Sequence, residues 1–152
     1  MSELYPPFRA AAAQASSVWL DPAASTVKAC ALIEEAGRGG ADIVALPESF
    51  IPGFPYWVFV KPLSETGPWH VRLHDQAVEI TGPTIDALAA AAKRSGVYAV
   101  VGITERNPGI IADSRGRSDA LIILEHGRSD RRMPPVVHRT RPHREARGTV
   151  LR

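Results

Sequence analysis

Three groups of side chains in this sequence have the types and spacing to do chemistry. The first is a carboxylate. The apolar run Ile43-Val44-Ala45-Leu46 stops at Pro47-Glu48, and the stretch LPESFIPGFPYW carries the chain into a loop rich in prolines and aromatics. Functional groups in open α/β sheets collect at the carboxyl ends of strands. Aromatic surroundings can exclude water from a carboxylate, raise its pKa and make it a usable base. A surface Glu in a turn is the competing reading. Tyr56 and Trp57 could wall a pocket, or pack the loop onto the core. The second group is a lone thiol, Cys30, beside the apolar stripe of a helix, the usual setting of an inert buried cysteine. The third is His70 and His74, four residues apart with Asp75 adjacent. No third well-placed ligand and no HExxH motif accompany them, so two exposed helix histidines are expected and no metal.

Elements must position these groups. Phe8–Gln14 (FRAAAAQ) reads as a short buried strand, although its alanines are also compatible with a helix. Asp21-Pro22 opens a helix, with Asp as cap and Pro at the first helical position. In it Ala29, Leu32, Ile33 and Ala36 form a core-facing stripe, and Gly37, Gly39 and Gly40 end it. Ala41–Leu46 is continuous and apolar, as in strands buried on both faces. Residues 47–68 form a long loop, a length that in a compact domain is usually functional. Trp69–Ile80 reads as helical. Gly82-Pro83-Thr84 opens another helix, striped by Ile85, Leu88, Ala89 and Ala92 and stopped by Gly96. Val97–Thr104 is a buried strand, 107–118 a loop, and Ala120–Glu125 a further strand. Alternating units of this kind indicate an α/β fold.

The chain has 152 residues and a net charge of +2, but the charge is uneven. Residues 128–152 hold eight Arg against one Asp and one Glu, so that segment is +6 and the remainder −4. One cysteine excludes an intramolecular disulfide framework. The first residues lack the basic and apolar regions of a signal peptide, and no apolar run is long enough to span a membrane. A cytoplasmic protein is the expectation.

Residues 8–104 resemble the first half of a nitrilase-superfamily carbon–nitrogen hydrolase. The matching pieces are AAAQASSVWLDPAAS, VKACALIEEAGRGGADIVALPESFIPGFPYW and TGPTIDALAAAAKRSGVYAVVGITERN. PESFIPGFPYW resembles the nitrilase branch more than the amidase branches. The resemblance implies an α-β-β-α sandwich, present here only as an incomplete first half, and a Glu-Lys-Cys triad without metal or other cofactor. Glu48 matches the general base. The family's cysteine thiolate attacks the nitrile carbon to give a covalent thioimidate, its lysine stabilises the developing negative charge, and water releases carboxylic acid and ammonia. A small nitrile would be the substrate of the intact parent, and a homo- or hetero-oligomer is compatible with the family.

Two triad positions have no match. The family lysine follows a strand in a stretch resembling His-Arg-Lys-Leu-x-Pro-Thr, with the cysteine further on. Here the lysines are Lys28, Lys61 and Lys93, all too early, and Cys30 lies in the first helix. Val136-Val137-His138-Arg139 matches the lead-in, but Thr140-Arg141-Pro142 follows. In one permissible coding, two nucleotides inserted after the first base of the Thr140 codon turn this stretch into His-Arg-Lys-Leu-Val-Pro-Thr-Glu-Lys-Leu-Val. The expectation is therefore a hydrolase part over 1–128 and an Arg-rich, poorly ordered tail over 129–152, frame-shifted from about Arg139 and unable to hydrolyse nitriles alone. Residues 107–135 match the family poorly. A non-catalytic subunit is one alternative. Polyanion binding through the tail is another, although the tail has no aromatic for base stacking and no recognisable nucleic-acid module. Loss of a whole covering layer implies an associating or poorly soluble chain.

Overall fold

The computed structural model describes residues 7–106, 117–124 and 136–139. Strands β1 (Ala10–Ala12), β2 (Ile43–Ala45), β3 (Tyr98–Arg106), β4 (Arg117–Leu124) and β5 (Val136–Arg139) form one sheet in the order β1-β2-β3-β4-β5. The first three run parallel, and β4 and β5 add antiparallel. Helices α1 (Pro22–Arg38), α2 (Gly67–Asp75) and α3 (Pro83–Ser95) complete the elements.

The expected caps are in place. Asp21 Oδ1 accepts from the Ala24 amide at 2.9 Å, and Pro22 opens α1. At the end of α3 Gly96 takes a left-handed conformation, φ 65°, that a side chain would strain. Gly37 is not a terminator. It lies inside α1, where a Cβ would come within 2.8 Å of the Ser95 Cβ, so its missing side chain lets α1 and α3 close on each other. These helices bury Ala29, Ile33, Leu88 and Ala92 against one face of the sheet, where Val44, Val101 and Ile103 meet them.

β1 is a strand, which settles the ambiguity of its alanines. The β2 segment is apolar throughout, yet only one face is covered. Val44 and Leu46 are buried, Ile43 is half-buried and Ala45 is exposed. The described residues supply one helical layer and one sheet, so no described element covers the second face of β2.

The anticipated helix over 69–80 ends at Asp75. Val78 instead joins the sheet: its amide donates to Thr104 O at 2.8 Å, and its carbonyl accepts from the Arg106 amide at 2.8 Å. One edge of β3 is thus lined by three separate pieces of chain: residues 43–45 against 98–100, Ile51 against Ile103, and Val78 against Glu105.

Candidate active site

Glu48 lies between the first two of those pieces. The Leu46 amide still donates to Val100 O at 2.8 Å, continuing the β2 ladder. The ladder resumes at Ile51, whose amide donates to Gly102 O at 3.3 Å and whose carbonyl accepts from the Thr104 amide at 2.8 Å. From Ala45 to Ile51 the chain advances six residues while β3 advances three, from Val100 to Ile103. The surplus forms a bulge with Glu48 near its apex. Ser49 turns the chain with φ 46°, a left-handed value uncommon for a residue with a side chain. Ser49 and Phe50 are buried beneath the bulge, and Pro47 and Glu48 are exposed.

Gly102 is the seat of this bulge. A Cβ there would stand 2.6 Å from Pro47 O, 2.6 Å from Ser49 N and 2.8 Å from Glu48 Cα. All three are backbone atoms. On β3, Val101 and Ile103 face the helices, so residue 102 points to the opposite face, and the Glu48 backbone rests directly on the sheet there. Nothing in the Glu48 motif announces this contact. The signal was a glycine inside an apolar strand pattern, which marks a bulge or a close backbone approach.

The other side chains singled out from the sequence lie elsewhere. Trp57 is buried with Leu20, Leu73 and Trp69, its ring centroid 5.8 Å from Trp19 and 6.1 Å from Trp69. This satellite core pins the 52–77 excursion, and its Nε1 is buried with no partner among the described residues. Tyr56 is 67% exposed and packs on Phe54, which stacks on Phe59. Of the two aromatics, Trp57 serves loop packing. The Glu48 carboxylate remains open to solvent, so these rings do not give it the dry setting anticipated from the sequence.

His70 packs edge-on against Trp57 at 5.6 Å, while His74 lies 3.8 Å from Asp75 at the surface. No group of three or more His, Cys, Asp or Glu among the described residues could hold a metal ion. Cys30 donates to Ala87 O at 3.6 Å between α1 and α3. Burial pushes its thiol pKa up, with Arg94 opposing and Glu34 adding to the rise. That is a packed thiol, not an activated one. A groove of about 750 Å³ follows the free edge of β1 against α1, and Glu48 is not among its lining residues. Among the described residues no helix is long and apolar enough to cross a membrane.

The ladder also relates Glu48 to β5. Gly102 pairs with Leu121, and Leu121 pairs with His138. The His138-Arg139 end of β5 is therefore level with the seat of Glu48, two strand spacings or about 10 Å away. β5 runs in the same direction as β3, so both positions lie at the same end of the sheet.

The carbon–nitrogen hydrolase family model matches residues 9–143. The chain belongs to the carbon–nitrogen hydrolase family. Its relatives include an aliphatic nitrilase of Rhodococcus rhodochrous, 41% identical over 103 residues, covering 67% of this chain and 28% of that protein. A nitrilase of Bacillus sp. (strain OxB-1) is 38% identical over 105 residues, covering 69% of this chain and 31% of that protein. Among solved structures, a CN-hydrolase superfamily protein from Xanthomonas campestris with an arsenic adduct in its active site aligns with TM-score 0.56 and 26% identity, over 78% of this chain and 36% of that one. An amidase from Nesterenkonia sp. shares the fold, at TM-score 0.50 and 18% identity, over 78% of this chain and 38% of that one. This carbon–nitrogen hydrolase chain spans under a third of the length of those two nitrilases. The fold is the α/β architecture of the family, represented by one helical layer and one sheet, and the family match runs through β5 to residue 143.

Proposed function

We propose that this chain is the glutamate-bearing part of a nitrilase-type hydrolase, and that its 152 residues alone hydrolyse no nitrile. The observation that carries the proposal is the bulge. A carboxylate is raised on the sheet at the strand ends, level with the end of β5, in a chain whose relatives include nitrilases. In the proposed parent Glu48 takes the proton of a cysteine thiol. The thiolate attacks the nitrile carbon and the nitrile nitrogen gains negative charge and then a proton. Water releases ammonia and, through a second hydrolytic step, the carboxylic acid. A lysine just after Arg139 would begin about 10 Å from the seat of Glu48, close enough for a long side chain to reach across the same end of the sheet.

This sequence has no lysine after Lys93 and no cysteine after Cys30. We attribute the absence to a shifted reading frame after about Arg139. The break falls where the family's His-Arg-Lys motif would continue, and the segment around it is dense in Arg. The boundary between the hydrolase part and the Arg-rich tail belongs to this proposal, as does a pocket-wall role for Tyr56. That boundary is set after about Arg139 rather than at 128, because β5 joins the sheet. A cytoplasmic setting belongs to it as well, supported by the single unpaired cysteine.

The test is to sequence the gene across the codons for His138 to His143 and beyond. Recovery of a lysine in the frame after Arg139, followed by a downstream cysteine, is the expected result, and the restored protein should release ammonia from simple nitriles. Confirmation of the printed frame would reject the frame explanation. Ammonia released from a nitrile by the 152-residue chain would reject the assignment of inactivity.

A further inference from the structure

The turn that carries Glu48 is held in a strained backbone. Among the described residues, two that bear side chains take a positive φ, Leu20 at 55° and Ser49 at 46°. Both hold the same stretch of chain. Ser49 O accepts from the Gly53 amide at 3.0 Å, and the Leu20 amide donates to Pro52 O at 2.8 Å. A Cβ on Gly53 would stand 2.8 Å from Trp19 Cδ1 and 3.0 Å from Ser17 Oγ, so residues 17–20 lie directly against this turn. Left-handed backbone is disfavoured for residues with side chains and persists only where the surroundings impose it. Such residues cluster at functional sites.

We propose that Ser49 is a positioning residue for Glu48. The ladder bonds of Leu46 and Ile51 fix the chain on either side of the bulge. Before Glu48, the ring of Pro47 restricts φ. After it, Ser49 is 1% exposed and its amide nitrogen lies against Gly102, with Phe50 buried behind it. Glu48 itself is exposed. Its Cα–Cβ direction is therefore set by the backbone of its neighbours, and Ser49 supplies the handed step that turns the chain back to the sheet.

Glycine would take the same φ without strain, but with no Cβ it would also open other backbone conformations to the turn. A buried serine leaves one handed turn and gives up some stability for it. A general base needs that restriction, because it must stand within about 2.6–3.2 Å of the proton it takes. The inference rests on the reading of Glu48 as that base. Sequencing of the gene tests the reading, and the order of the Glu48 backbone tests its support, so either can fail alone.

The test is ¹⁵N relaxation of the full chain and of Ser49→Gly and Ser49→Ala, with a thermal melt of each. In the parent chain the Glu48 amide should be rigid, with an order parameter of about 0.85. Ser49→Gly should lower it to about 0.6, while the amides of Ala29 in α1 and Val101 in β3 keep their values. Its melt should move by no more than about 4 °C, because relief of the left-handed strain offsets the lost side-chain packing. Ser49→Ala keeps the Cβ and should leave Glu48 rigid. A Glu48 amide already mobile in the parent chain would overturn the proposal. So would an unchanged order parameter in Ser49→Gly, a fall shared equally by α1 and β3, or equal loosening in the two variants.

Discussion

Gly102→Ala is the substitution that interrogates the Glu48 bulge most directly. The added Cβ would stand 2.6 Å from Pro47 O and Ser49 N, whereas ordinary contact begins at 3.4 Å. The bulge must lift by about 0.8 Å, since the atoms it meets are backbone and cannot rotate away. Lifting strains the bonds on either side: Leu46 to Val100, and Ile51 to Gly102, which is already 3.3 Å long. Overpacking of this kind costs about 1–3 kcal/mol, and a lost backbone hydrogen bond about 1 more. A loss of about 2–4 kcal/mol is a large part of a typical stability of about 5–15 kcal/mol, and should lower the melting temperature by about 10 °C. The assay is a thermal melt followed by far-ultraviolet circular dichroism at a concentration below association. Gly67→Ala is the control, because a Cβ there meets nothing within 4 Å and the residue opens α2, where Ala is a good helix former. Its melt should match or slightly exceed that of the parent. Equal melts for the two variants would show that Glu48 does not rest on Gly102, and the account of the bulge would fall.

Glu48→Gln should change stability by no more than about 0.5 kcal/mol, because the side chain is exposed; a larger loss in urea denaturation would mean that the carboxylate serves the fold. Cys30 should react with a thiol reagent more slowly than a free cysteine at pH 8, because its raised pKa leaves less thiolate; reaction as fast as in the unfolded chain would contradict its packing between α1 and α3. The same shift fixes a sign for stability. The Cys30 contribution is fully present below the thiol's unfolded pKa and is lost as pH rises through the raised folded value, so Cys30→Ala should flatten the alkaline decline. Glu34→Ala removes a 2.8 Å pair with Arg94 that is partly exposed on both sides, and should cost less than about 1 kcal/mol in the same denaturation experiment.

Helices α1 and α3 were legible in the sequence because their signals are local: Asp21-Pro22 and Pro83 at the starts, apolar stripes at helical spacing, and Gly96 at a stop. Parallel strands β1 to β3 were legible as apolar runs between turn residues. The end of α2 was not, since Val78 leaves the helical pattern to bond with β3, a partner more than twenty residues away in sequence. The position of Glu48 could be read from its motif, and its support could not. Gly102 lies over fifty residues later, and only three-dimensional proximity reveals the clash that a side chain would cause. Trp57 shows the same limit: its composition suits a pocket wall and a core equally, and its burial with Trp69 and Leu73 decides for the core.

The edge of β3 built from three pieces of chain has an evolutionary consequence. Ile51 and Val78 are anchored to β3 at Ile103 and Glu105, and everything between them is an excursion that leaves the sheet and returns to it. The closure entropy of such an excursion grows only as the logarithm of its length. Residues 52–77 can therefore change in length at small entropic cost while Ile51 keeps its rung and Glu48 its seat, provided that Trp57, Trp69 and Leu73 keep their packing on Leu20. The chain thus holds Glu48 on a short stretch of backbone bound to the sheet at both ends, and leaves variation in length to a segment that the sheet does not hold.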